Sequence, residues 1–86
     1  MIVKVQHFKD EFIGAYEEEI YSNVEKIFRF RDKNQDEFMN LKIKNQDELE
    51  LIPITHIDKD GNHPALVGAI WLMNNEGKTI ERLVWF

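Results

Sequence analysis

The fold turns on how one stretch is read: Asp10-Glu11-Phe12-Ile13-Gly14-Ala15-Tyr16-Glu17-Glu18-Glu19-Ile20-Tyr21-Ser22-Asn23-Val24-Glu25-Lys26-Ile27-Phe28-Arg29-Phe30-Arg31. Ile13, Tyr16, Ile20, Val24, Ile27 and Phe28 fall at spacings of three and four, which is the stripe of an amphipathic helix. Most other positions are polar. Charge order agrees with a helix. Asp10 and Glu11 stand at the start, Asp10 as an N-cap whose carboxylate can accept from free N–H groups. Arg29, Arg31 and Lys33 stand at the end, where cations favour exposed carbonyls. The spacing therefore predicts a helix within Asp10–Arg31. Three features oppose one unbroken helix. Gly14 costs about 1 kcal/mol relative to Ala. Ser22-Asn23 prefers caps and turns, and Ser22 with Glu25 forms a capping-box pattern. Phe28 and Phe30 also fit the alternation of a strand, so the segment after Ser22 keeps both readings.

Working outward, Ile2–Phe8 alternates Val3, Val5 and His7 with Ile2, Lys4 and Gln6, and reads as a strand. At the other end, Leu66–Met73 and Thr79–Phe86 read as a hairpin about the turn Asn74-Asn75-Glu76-Gly77-Lys78. Asp58-Lys59-Asp60-Gly61-Asn62 has the same form, with Gly61 left-handed. Leu49–Ile57 reads as a strand in which Pro53 marks a bulge or an unpaired position. Lys33-Asn34-Gln35-Asp36-Glu37 recurs as Lys44-Asn45-Gln46-Asp47-Glu48, two turns of like chemistry in a meander.

The C-terminal hairpin is apolar on both faces. Val67, Ala69, Trp71, Met73, Leu83 and Trp85 share one. Leu66, Ile70, Leu72, Ile80, Val84 and Phe86 share the other. Three-residue loops set Trp71 opposite Leu49 and Glu81, Val67 opposite Trp85, and Ala69 opposite Leu51 and Leu83. The face with Leu49, Leu51, Trp71, Leu83 and Trp85 is then the expected core. The second face, which also gathers Ile52 and Ile54, needs a cover. The predicted class is α+β, one helix packed on a strongly twisted antiparallel sheet of about five strands in the order β-α-β-β-β-β. The alternative is a small all-β SH3-like or Sm-like barrel with one short helix.

A chain of 86 residues builds one domain and one core. It lacks cysteine, which removes disulfide and thiolate chemistry and fits a reducing compartment. The start is too soon charged for a secretory h-region, and no apolar run approaches a membrane span of roughly 20 residues. A cytoplasmic chain is expected. The net charge of −5 disfavours phosphate-backbone binding overall.

Few residues carry chemistry. Asp58, Asp60 and Asn62 echo a calcium loop, but its twelfth position is Ala69 where a Glu is required. Gly77-Lys78-Thr79 lacks the first glycine of a P-loop and precedes a strand. His7, His56 and His63 have no ligand spacing, and Ser22 and Thr55 have no identified base. No catalytic residue, cofactor or metal is expected, and no enzyme. What remains is a protein-interaction module, of the kind of an inhibitor, immunity protein or regulatory subunit of phage or bacterial type. Its expected interface is Ile70, Leu72, Ile80, Val84, Trp85 and Phe86. Glu17, Glu18 and Glu19 are the expected acidic contact with a basic partner. The partner is a protein or a second copy, with homo-oligomers expected. The alternative is nucleic-acid binding by the basic-aromatic stretch Lys26–Lys44, using Lys26, Arg29, Arg31, Lys33, Lys42 and Lys44 around Phe28 and Phe30.

Overall fold

The computed structural model describes residues 1–10 and 14–86. Seven strands follow in order: β1 (Ile2–Asp10), β2 (Ala15–Tyr21), β3 (Val24–Arg31), β4 (Glu37–Ile43), β5 (Glu50–Pro53), β6 (Val67–Met73) and β7 (Thr79–Trp85). They form two antiparallel sheets. One has four strands in the order β2-β1-β6-β7, the other three in the order β3-β4-β5. There is no helix among the described residues.

The predicted α+β class is therefore overturned, and the all-β alternative has the right class, without its short helix. Asp10 ends a strand instead of capping a helix. Ile13, first residue of the stripe, and Glu11 lie outside the described residues. The rest of the stripe belongs to two strands joined by a turn at Ser22-Asn23, where Asn23 has φ 58°. Tyr16 and Ile20 lie on β2, Val24, Ile27 and Phe28 on β3, so the spacing of three and four runs across a chain reversal. β2 is an edge strand, and its residues from Tyr16 to Ile20 are exposed. Such a strand need not alternate, because neither of its faces is fully covered.

The core lies between the sheets. Val3, Val5, Val67, Ile70 and Val84 come from the four-stranded sheet. Val24, Met39, Leu41, Ile43 and Ile52 come from the three-stranded one, with Ile54 just beyond β5. Sheets packed face to face stand about 10 Å apart, a gap that aliphatic side chains fill. The core expected from the sequence is thus largely displaced: of its face Val67 enters the core and Leu83 packs partly against it. Leu49 and Leu51 are exposed, Trp85 is 74% exposed, and Trp71 is half-buried. The expected neighbours also change. β6 lies between β1 and β7, and β5 pairs with β4 in the other sheet. Trp71 faces Lys4 and Arg82, and Trp85 faces Ala69.

Two bulges in β7 and one in β6 account for this register. Ile70 pairs with Val84 and Trp71 with Arg82, which leaves Leu83 as an extra residue; Leu72 and Met73 pair with Glu81 and Thr79, which leaves Ile80. Gln6 pairs with Ala69 and His7 with Val67, so Gly68 is the extra residue on β6. A Cβ on Gly68 would stand 3.1 Å from the Tyr16 ring and 3.3 Å from the Gln6 amide oxygen. Glycine lets the bulge pack beneath Tyr16.

Three turns share one geometry. In Asp32–Asp36, Asp58–Asn62 and Asn74–Lys78 the first side-chain oxygen accepts from the N–H groups two and four residues on. The fourth residue is left-handed in each: Gln35 at 67°, Gly61 at 82° and Gly77 at 83°. The two expected turns are as read. The third falls at the turn read over Lys33–Glu37, with a glutamine in the glycine position. The Lys-Asn-Gln-Asp-Glu repeat is not a structural repeat, since the second copy turns at Asn45 instead, with φ 65°.

Backbone bonds join the sheets at both ends. Val24 N–H donates to Met1 O at 2.9 Å. Opposite, Ile54 N–H donates to Glu37 O, Leu66 N–H to Ile54 O and Phe8 N–H to Leu66 O. Arg29 adds a side-chain tie, donating to the carbonyl of the bulged Leu83 at 2.9 Å.

Candidate functional site

The pleat of the four-stranded sheet separates an inner and an outer face. Val3, Val5, Ile70, Leu72 and Val84 point inward. Cross-strand register then places Ile20, Lys4, Trp71 and Arg82 in one outer row, from β2 to β7. Glu18, Gln6, Ala69 and Trp85 form the next. The centre of this face is an aromatic-cation stack. Lys4 Nζ lies 4.6 Å from the Trp71 ring centre. The Arg82 guanidinium lies 4.4 Å from the Trp85 ring and 6.0 Å from Trp71. Each such contact contributes about 0.5–1 kcal/mol at an exposed site. The stack therefore holds two indoles at the surface in fixed orientation. Tyr16 and Phe8 extend the face, with ring centres 5.3 Å apart.

The interface residues expected from the sequence divide. Ile70 and Val84 are core residues and closed to any partner. Leu72 is half-buried. Ile80, Trp85 and Phe86 are exposed. Sequence reasoning missed Lys4, Trp71, Arg82 and Tyr16. The signal available was the membership of Trp71 and Trp85 in one alternating set.

Glu17, Glu18 and Glu19 lie on the β2 edge rather than on a helix, and all three are exposed. Glu18 stands 3.9 Å from Lys4, and Glu19 stands 3.2 Å from His7. With His7 they line a recess of about 460 Å³. Charged residues on an edge strand also block unwanted strand addition. Glu19 bears on Tyr21 as well. Burial, then the hydrogen bond and charge of Glu19, push the Tyr21 phenol above the usual tyrosine range.

The remaining polar groups are engaged structurally. The buried Glu37 carboxylate takes the Arg29 guanidinium and lies 3.7 Å from Arg31. Thr55 Oγ1 accepts from Glu37 N–H at 2.8 Å. His63 Nδ1 and the buried Asp36 carboxylate meet at 2.8 Å, which ties the 58–66 loop to the 32–36 turn. His56 is exposed, so the three histidines do not converge. No group of three metal-ligating side chains occurs among the described residues. No described helix is long and apolar enough to cross a membrane.

The basic-aromatic stretch also divides. Arg29 and Arg31 lie beside Glu37 on the inner side of the pleat, though both stay exposed. Lys26, Phe28, Phe30 and Lys42 point outward from the three-stranded sheet. No protein-family model, curated protein or solved structure matches the chain.

Proposed function

We propose that this chain is a small non-enzymatic protein-interaction module whose working surface is the outer face of the four-stranded sheet. The Trp71–Arg82–Trp85 stack carries the reading. Interface hot spots are enriched in Trp, Tyr and Arg, and here all three types stand together on one rigid sheet. Trp85 is held in place by Arg82 while remaining largely exposed. Its indole is thus ordered before any partner arrives, which lowers the entropy lost on binding.

The occupant proposed is a second copy. The face has a charge gradient, with Glu18 on β2 at one side and Arg82 on β7 at the other. A two-fold axis parallel to the strands, running above the outer face between β1 and β6, lays β7 over the partner's β2. Trp85 then lies over the partner's Glu18, with the Arg82 guanidinium stacked on Trp85 one row away and within reach of that carboxylate, and the reverse contact forms by symmetry. Four strands of seven residues project roughly 450 Å². That is small for a permanent interface and implies a transient dimer.

Light scattering on a size-exclusion column, over a wide concentration range, tests this. The mass should rise from 10.3 kDa toward twice that value. Trp85→Glu and Arg82→Glu should each stay monomeric, and adding Glu18→Arg to Arg82→Glu should restore the dimer. A wild-type monomer at every concentration refutes self-pairing. A dimer indifferent to these changes refutes the choice of face.

A further inference from the structure

The outer face of the three-stranded sheet differs from the rest of the surface. The chain carries 16 carboxylates. None sits at the paired outward positions of β3, β4 and β5. Those positions form three rows: Lys26 with Lys42, then Phe28 with Asn40 and Leu51, then Phe30 with Phe38 and Pro53. Phe28 and Phe30 are 46% and 42% exposed. Phe30 and Phe38 stack with centres 5.4 Å apart and planes 19° apart, making one flat platform.

We infer that this face is a binding site for single-stranded nucleic acid. Lys26 and Lys42 stand directly opposite, an arrangement that destabilises a sheet unless an anion lies between. Lys42 donates its ammonium to the Gln46 carbonyl, which orients the charge without neutralising it. Phe28 and Phe30 are alternate strand residues and so stand about 6.6–6.8 Å apart. That matches successive bases of an extended strand, each stacked on one ring. A base on Phe28 sets its edge beside the Asn40 amide and its phosphate toward the two lysines. Aromatic stacking plus backbone cations is the general mode of single-strand binding. Duplex DNA offers no open base face to the rings. The acidic remainder of the surface repels it, so duplex is rejected. Arg29 and Arg31 take no part, since both are turned to Glu37.

Fluorescence anisotropy of a labelled oligothymidylate of about ten nucleotides, at low salt, tests the site. Saturable binding is expected, with a log–log salt slope of about −1.4 for two phosphate contacts. Lys26→Gln or Lys42→Gln should each reduce that slope by about 0.7. Phe28→Ala should weaken binding roughly 5- to 150-fold, while Phe28→Trp retains it. Unchanged circular dichroism and melting of these surface variants exclude unfolding as the cause. Trp85→Glu, on the other sheet, should bind as wild type, which separates this site from the self-pairing face. No anisotropy change, equal affinity for duplex, or binding indifferent to Phe28→Ala would overturn the inference.

Discussion

Two isoleucines ten residues apart in one hairpin give the sharpest test of the fold. Ile70 is 0% exposed and Ile80 is 61% exposed. By sequence they share a face, yet only Ile70 enters the core, packed with the valines of β1 and the aliphatics of the second sheet. Truncating a fully buried isoleucine to alanine removes its transfer free energy and leaves a cavity, for a cost of about 2–5 kcal/mol. A domain of this length has a total stability of roughly 4–13 kcal/mol. Ile70→Ala therefore takes a large fraction of it and can leave the chain part unfolded at 25 °C. Ile80→Ala removes only exposed surface and should stay within about 0.5 kcal/mol of wild type. Urea denaturation followed by tryptophan fluorescence, at a concentration where the chain is monomeric, reads both. With m of about 1–3 kcal/mol/M, a 3 kcal/mol loss lowers the midpoint by about 1–3 M. A loss below about 1 kcal/mol at Ile70, or an equal loss at both sites, would refute the inward assignment of β6 and the two-sheet core with it.

Three further outcomes follow, two from the turns and one from Tyr21. Gln35 is left-handed without being glycine, a conformation that costs roughly 1–2 kcal/mol. Gln35→Gly should therefore raise stability by about 0.5–1 kcal/mol after the extra entropy of the unfolded glycine is subtracted. At the matching position, a Cβ on Gly77 meets nothing nearer than Met73 at 4.0 Å, so only the backbone opposes a side chain. Gly77→Ala should cost about 1–2 kcal/mol in the same urea assay. Because the folded chain raises the Tyr21 phenol, it holds that proton more tightly than the unfolded chain does. The resulting stability is fully present below the ordinary tyrosine value of about 10 and is lost as pH climbs through the folded value. Denaturation repeated at rising pH should show this decline beginning near pH 10, and Tyr21→Phe should remove it. An identical high-pH decline in Tyr21→Phe would rule Tyr21 out as its source.

Local chemistry was legible wherever a few adjacent residues decide the geometry. The strand at Ile2–Phe8 has one covered inner face and alternates accordingly. The turns at Asp58 and Asn74 announce themselves by an Asx start and a glycine three residues on. Pro53 closes an edge strand, where its missing N–H is harmless. The grouping of the C-terminal hairpin was also partly legible. Ala69, Trp71 and Trp85 do share a face, as do Ile70, Leu72 and Val84.

By itself the sequence determined the turns at Asp58 and Asn74, that the C-terminal hairpin forms, and that the indoles Trp71 and Trp85 share a face. Only the tertiary structure decided which face of that hairpin meets water. The answer depends on β3, β4 and β5, which supply the opposing wall. A stripe running across the Ser22-Asn23 turn disguised the first of them as helix. With a helix as the cover, the indoles fit inside. With a second sheet about 10 Å away, valine, isoleucine, leucine and methionine fill the gap and the indoles are excluded. The same long-range placement turns Arg29 and Arg31 toward Glu37 and leaves Lys26 and Lys42 facing outward. Strand register and the partner across the core are properties of residues far apart in the chain, and no local spacing encodes them.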